Sequence, residues 1–434
     1  MRSAAGALVG ALLACALPAM VAAQASQTAR PLTLHEAEQL ALQRHPAIKA
    51  GEAIALAAGE TEREARSAYL PLAAGAVSAA DASGQSTRIA AGGLNNPTVI
   101  DRFATGIAVS QLVTDFGRTH DLVESTTLNA ESRGKDVDAR RADVLLQVDR
   151  AYFDALRAQA VLRVAQETVS TRQTVADQVQ ALADSNLRSS LDVSFAKVNV
   201  GEAQLLLAQA QNDVASAQVA LSTVIGDPVP GTYQLVDEGQ LPPPPDDSAP
   251  LIADALRNRP DIAARRLAAD SALKFAEAEH ALWMPSLAAV GVAGVTPFHA
   301  TGITDHYAAA GVNLTIPLSN GGLFNARHAE ANFRAQALQE GTRDLEIGVT
   351  RDVTVAWLSA RTAYQRLDLT RALLAQASDA LDLAQARYDL GLTSIVELTQ
   401  AQLYKTGAEI AQSTARYDYQ ARLAALRYQT GALK

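Results

Sequence analysis

Ala386-Arg387-Tyr388-Asp389-Leu390-Gly391-Leu392-Thr393-Ser394-Ile395-Val396-Glu397-Leu398 is the one breaker inside a very long helical pattern. A second stretch, Ala181-Leu182-Ala183-Asp184-Ser185-Asn186-Leu187-Arg188-Ser189-Ser190-Leu191-Asp192-Val193, aligns with it without a gap at a shift of 205 residues. Gly391 then falls over Asn186, Ser394 over Ser189 and Glu397 over Asp192. Gly and Asn take up a left-handed backbone at the lowest cost, and a hydroxyl followed three residues later by a carboxylate starts a helix as a capping box. Each copy therefore reads as helix, tight turn, helix.

The same shift pairs Ala151-Tyr152-Phe153 with Ala356-Trp357-Leu358, and Ala220-Leu221 through Gly226 with Ala425-Leu426 through Gly431. Nearer the N-terminus the shift becomes 214, with His45-Pro46-Ala47-Ile48 over Arg259-Pro260-Asp261-Ile262 and Tyr69-Leu70-Pro71 over Trp283-Met284-Pro285. The chain is a tandem duplication, and internal repetition outranks other signals in deciding a fold. The pattern predicts a signal peptide over 1–25 and a first repeat over 26–226, made of helix 33–68, β-hairpin 72–113, long helix 118–184, tip turn 185–190 and return helix 191–225. A connector, 227–247, leads to a second repeat over 248–434, made of helix 248–282, β-hairpin 286–318, long helix 323–387, tip turn 388–394 and return helix 395–430.

The N-terminal segment carries Arg2, an apolar run from Ala4 to Leu17, Pro18, and small residues at Val21, Ala23 and Ala25, the pattern of an export signal. Leu12-Leu13-Ala14-Cys15 also fits a lipoprotein box with Cys15 acylated, but the apolar run continues past Cys15 to a cleavage point at Ala23 or Ala25. Cleavage there removes the single cysteine and leaves packing as the source of stability. No other segment has the 18 or more uninterrupted apolar residues of a membrane helix, so any bilayer crossing must use strands. A net charge of −9 argues against nucleic acid as a partner.

From Arg118 to Asp184 there is no proline, and a helix of that length would span roughly 100 Å. Its apolar ladder recurs every seven residues at Val148, Ala155, Leu162, Val169 and Ala176, and in the second copy at Val353, Ala360, Leu367, Leu374, Leu381 and Tyr388. On the return, Val193, Val200, Leu207, Val214 and Leu221 alternate with Ala196, Ala203, Ala210 and Ala217. A seam with one small residue per heptad lets antiparallel helices approach closely. In the hairpins, Val312, Leu314, Ile316 and Leu318 alternate with Asn313, Thr315, Pro317 and Ser319, which suits either a barrel wall between lipid and water or a soluble hairpin on a core. Tyr69 and Trp283 at the helix-to-strand junctions favour the membrane interface.

The export signal, the duplicated helix, hairpin, long helix, turn and helix, the glycines Gly117 and Gly322 at each strand-to-helix passage, and the spacing of Tyr388, Gly391, Ser394 and Glu397 together resemble the TolC-like outer membrane factor family. The resemblance covers nearly all of the mature chain. It implies a mainly α fold with a β-barrel part: a homotrimer in which four strands per protomer complete a 12-stranded outer-membrane barrel standing on a long periplasmic α-helical coiled-coil tunnel. It implies the cell outer membrane of a Gram-negative bacterium as location, outer-membrane lipid as surroundings, and two partners, a periplasmic adaptor (a membrane fusion protein) and an inner-membrane pump. The adaptor would dock on Asn186, Leu187, Arg188 and Ser189 and on Gly391, Leu392, Thr393 and Ser394.

By the same resemblance, Glu397 matches an inward carboxylate that would form an anionic ring at a channel constriction; a plain capping-box carboxylate is the alternative. Gln400 stands where a second acidic position would be, so one ring is expected. Tyr388 and Asp192 match a pair that bonds between neighbouring hairpins, with Thr393 in place of the arginine partner, so a latch here would rest on a neutral phenol. Alternatively Tyr388 only ends the apolar ladder. No enzyme is expected: no phosphate loop, nucleophile elbow or Cys/His cluster occurs, and His299 and His306 beside Asp305 read as loop residues rather than metal ligands. No cofactor is expected. The rival reading is a secreted or periplasmic coiled-coil spacer without channel activity.

Overall fold

The computed structural model describes residues 30–88, 98–227, 231, 233–237, 239, 241–302 and 304–433. The signal-peptide and Cys15 readings fall outside the described residues. Each repeat begins with a broken helix: α1 (Leu34–Arg44) and α2 (Pro46–Ser67) in the first, α5 (Ala249–Asn258) and α6 (Pro260–His280) in the second. The single helices expected over 33–68 and 248–282 are therefore each two, because His45 and Arg259 precede proline and take extended backbones at ψ 122° and 124°. Thr33 caps α1 in a capping box with Glu36.

The break is a docking point. Gly226 and Gly431, which close the return helices with φ of 84° and 71°, sit against it in their own repeats. A Cβ on Gly226 would stand 3.2 Å from the Arg44 carbonyl carbon, and one on Gly431 3.0 Å from that of Asn258. Only glycine supplies both the left-handed turn and the close approach.

Two helices of 67 residues each, α3 (Arg118–Asp184) and α7 (Leu323–Asp389), form the spine. Both start from a glycine in the left-handed region, Gly117 at φ 109° and Gly322 at φ 87°. They fold back into α4 (Ser190–Ile225) and α8 (Ile395–Gln429), while α2 and α6 flank their opposite halves. Along α4 the small positions Ala196, Ala203 and Ala210 are almost fully buried, which lets the helix axes come close. The second tip turn is shorter than 388–394, since α7 runs through Tyr388 to Asp389.

Strands β2 (Leu72–Ala80), β5 (Arg102–Thr114), β7 (Ser286–His299) and β8 (His306–Thr315) make one antiparallel sheet in the order β2-β5-β7-β8, fed by both hairpins. Between β2 and β5 a short ladder pairs β3 (Ser86–Arg88) with β4 (Thr98–Ile100). The hairpin expected over 286–318 stops pairing at Thr315, and Pro317, which cannot donate to a ladder, follows. Among the described residues the sheet packs on no core of its own: β8 is exposed along its whole length, and Ile107, Val292, Val312 and Leu314 stand open to the surroundings.

Midway, β1 (Arg30–Leu32) pairs in parallel with β6 (Tyr233–Leu235) over a core of Ile48, Val148, Tyr152, Leu221 and Ile225. The Tyr152 hydroxyl lies 2.8 Å from the carbonyl oxygens of Leu32 and Val236 and accepts from the Val236 N–H at 3.1 Å. Its repeat partner Trp357 donates from Nε1 to the Pro245 carbonyl at 2.8 Å. The paired aromatics thus hold the two ends of the connector. Tyr152→Phe is expected to cost about 1–3 kcal/mol by stranding the Val236 carbonyl, read as a lower thermal unfolding midpoint of the detergent-solubilised protein; an unchanged midpoint would remove Tyr152 from this role.

Candidate functional site

The two turns come together at one end of the molecule. At each, a left-handed residue, Asn186 (φ 59°) or Gly391 (φ 73°), closes the long helix. The N–H of the next residue reaches five residues back, Leu187 to the carbonyl of Leu182 at 2.9 Å and Leu392 to that of Arg387 at 2.8 Å. Both are Schellman ends, as a left-handed residue after a helix requires. Leu187, Leu390 and Leu392 remain largely exposed around them.

Beyond the turns the copies diverge. Ser189 and Asp192 form the reciprocal capping box, each bond 3.2 Å. Ser394 makes no side-chain cap, which corrects the capping-box reading of Glu397. Glu397 instead accepts from the Thr393 hydroxyl and pairs with Arg387 at 3.2 Å. A guanidinium offers the carboxylate a charge-assisted partner that the cap backbone cannot match.

Tyr388 ends the apolar ladder inside a cluster of Val179, Val193, Ala196, Ile395 and Leu398. Arg188, from the other turn, lies over its ring with the guanidinium carbon 4.2 Å from the centroid and donates to the Tyr388 carbonyl at 2.7 Å. The hydroxyl is buried with no hydrogen-bond partner among the described residues, and within this chain Asp192 is engaged by the Ser189 N–H rather than by Tyr388. Burial pushes the phenol up from its ordinary value, with Arg188 pulling against it and Asp192 pushing with it, so the group stays neutral. The expectation of a latch resting on a neutral phenol is therefore incomplete: Thr393 replaces the arginine that the resemblance would place there, and Arg188 brings a guanidinium to Tyr388 from the opposite turn. Arg188 was expected only as part of the adaptor surface, because an arginine in a turn carries no local signal of a partner 200 residues away.

Further from the tip, Arg172 is buried and donates to the Asn199 carbonyl at 3.0 Å, while Asn199 Nδ2 donates to Thr399 Oγ1 at 2.7 Å. This polar layer ties the first helical hairpin to the second. Its members lie on two hairpins about 200 residues apart, and heptad periodicity shows none of them.

At the other end of the molecule His299 bonds Asp305 at 2.8 Å. His120, Asp121 and Glu124 bring ligand atoms within 4.8 Å of one another at the start of α3, where Lys274 already pairs with Glu124 at 3.2 Å.

A family model described as "Outer membrane efflux protein" matches residues 37–227 and 251–432. The chain is 24% identical over 316 residues to the toluene efflux pump outer membrane protein TtgC of Pseudomonas putida, a match that takes in 70% of this chain and 64% of that protein's length. It is 26% identical over 382 residues to the protein CyaE of Bordetella pertussis, covering 86% of this chain and 78% of the other. Among solved structures, the open state of the Neisseria gonorrhoeae MtrE outer membrane channel superposes with a TM-score of 0.76 at 21% identity, over 92% of this chain and 88% of that one.

Proposed function

The chain belongs to the outer membrane efflux protein family, and we propose that it is the outer-membrane exit duct of a tripartite efflux or type I secretion assembly, a passive trimeric tunnel that docks an adaptor and an inner-membrane pump. The observation that carries this reading is the four-stranded sheet. It presents large apolar side chains to the surroundings and, among the described residues, leaves β2 and β8 as unpaired edges. In lipid, open edges strand backbone polar groups, so such a sheet must close with copies of itself. Three copies would give twelve strands, between the filled barrels of eight strands and the open ones of sixteen.

The helices support the same assembly. Phe195, Val198 and Leu205 on α4 and Phe333, Ile347 and Leu369 on α7 are exposed apolar residues that a neighbouring protomer would cover. The helices extend into the periplasm, and the turns 185–190 and 388–394 at their far end are the adaptor surface, since short exposed residues offer backbone groups without bulk. There Glu397 lines the constriction, Asp192 and the buried Tyr388 back it from the adjoining helices, and Arg188 holds the Tyr388 segment. Cargo is selected by the pump, because a duct meets whatever is delivered to it.

The test is conductance in planar bilayers of the detergent-purified protein. Discrete, cation-preferring channels are expected. Protein that stays soluble without detergent and forms no channels would return the coiled-coil spacer reading.

A further inference from the structure

At mid-height, under the connector, a cavity of about 260 Å³ lies between α1, α3 and α8. Leu34, Phe153, Leu156 and Leu423 give it carbon walls. Its polar lining includes Asp149, which is only 2% exposed, and Gln420. Asp149 Oδ1 and Gln420 Oε1 are both buried and receive no donor among the described residues, while the Asp149 carboxyl shares a hydrogen bond with Glu38. A buried acceptor without a donor costs free energy on the order of 1–3 kcal/mol, and more when it is charged. Two such atoms on one cavity wall point to a missing donor.

We propose that this cavity is a binding site for a small organic cation, a primary ammonium on a short apolar body, with Asp149 as its counter-ion and Gln420 as a second acceptor. The chemistry selects this class. An ammonium carries three donors and no acceptor, so it answers both orphaned oxygens at once. The carbon walls take the apolar body, and the volume falls just below the usual range for drug-sized ligands, which suits a small one. A divalent metal ion would need six or more oxygen ligands, whereas Asp237 is already taken up by Arg416 and Tyr417 and Arg427 places a cation at the wall.

The surroundings set how the site responds to pH. Glu38 on α1, itself 3.6 Å from His35, lies against Asp149. Asp237 of the connector is held by Arg416 at 2.8 Å and by the Tyr417 hydroxyl at 3.0 Å. Arg427 on α8 sits at the cavity wall as the opposing cation, and Tyr152 is bound to backbone. Burial, then the charge of Glu38 and the hydrogen bond shared with it, push the Asp149 carboxyl up to about 8 against the pull of Arg427, so near neutrality it holds, toward Glu38, a proton that the ammonium must displace. Binding therefore releases one proton, and affinity should rise about tenfold per pH unit below 8 and level off above it.

The measurement is calorimetric titration of the full-length protein in a non-ionic detergent at pH 6.5, 7.5 and 8.5, with n-hexylammonium and benzylammonium as probes. Both should saturate one site per chain, while hexanol and ammonium chloride, each carrying half of the recognition, should not. Asp149→Asn should lose at least about tenfold in affinity, Leu423→Trp should block binding by filling the cavity, and Arg427→Gln should tighten it by removing the competing charge. No saturable binding at pH 8.5, undiminished affinity in Asp149→Asn, or equal binding of hexanol would overturn the proposal. Binding is read without transport, so the site stands or falls independently of channel activity.

Discussion

Gly294→Val is expected to abolish assembly of the channel in the outer membrane. Gly294 pairs with Gly106 across β5 and β7 and with Tyr307 across β7 and β8. A Cβ on Gly294 would collide with the Thr105 carbonyl oxygen, which is backbone and cannot swing aside, and with the Tyr307 ring. At Gly106 a Cβ would collide with the Tyr307 hydroxyl and stand 2.7 Å from the Ala293 carbonyl oxygen. The tyrosine ring thus covers a pair of glycines and supplies the side-chain contact they lack.

The position is critical because, among the described residues, the β5 to β7 ladder is the only sheet pairing that joins the two hairpins. Without it each repeat keeps an isolated two-stranded hairpin, which is marginal by itself. Gly311→Val is the control, since a Cβ there meets nothing within 4 Å. Membrane fractionation and detergent-resistant oligomers on unheated gels give the readout. Gly294→Val assembling as well as Gly311→Val would show that the glycine pair is dispensable.

The second large effect concerns cation block at the tip. Channels of the wild-type protein should be blocked from the periplasmic side by a trivalent cation such as hexamminecobalt, and Glu397→Ala should remove most of that block. Arg387→Ala should act in the opposite direction. Arg387 lies 3.2 Å from Glu397, both side chains about half exposed, so each copy of the carboxylate is partly neutralised within its own chain. In the proposed trimer, losing this guanidinium from each copy should unmask the proposed carboxylate ring and lower the blocking concentration by about tenfold, since a charge pair at this separation near a surface is worth a few kcal/mol before screening. Block that is equal in all three proteins would place Glu397 away from the constriction. Block lost in both variants would mean that the pair acts by holding the turn in shape.

These two sites differ in how far they could be read from the chain. The turn itself was legible, because Asn186 and Gly391 are the residues that accept positive φ, and the apolar ladders on either side have the helical heptad spacing. The partner of Glu397 was not. Ser394 and Glu397 have the capping-box spacing, and nothing in that spacing says that Arg387, ten residues earlier on the preceding helix, folds back to compete for the carboxylate. Tyr388 was recognisable as the end of a ladder, whereas its cover, Arg188, comes from a turn 200 residues away. The glycine pair under Tyr307 was equally hidden, since Gly106, Gly294 and Tyr307 sit on three strands and meet only when the register is set.

What the sequence by itself determined is therefore the set of features that depend on neighbours along the chain. These are the duplication, the 67-residue helices, the left-handed turns, the glycines that open the long helices and the proline breaks that split α1 from α2. Local backbone sterics and heptad burial decide these before any distant contact forms. Only the tertiary structure decided which charges and rings are paired: Arg188 on Tyr388, Arg387 on Glu397, Arg172 on Asn199, and Asp149 against Glu38 at the cavity wall. Those outcomes depend on desolvation and on competition between partners far apart in the chain, and neither is defined until the helices have packed.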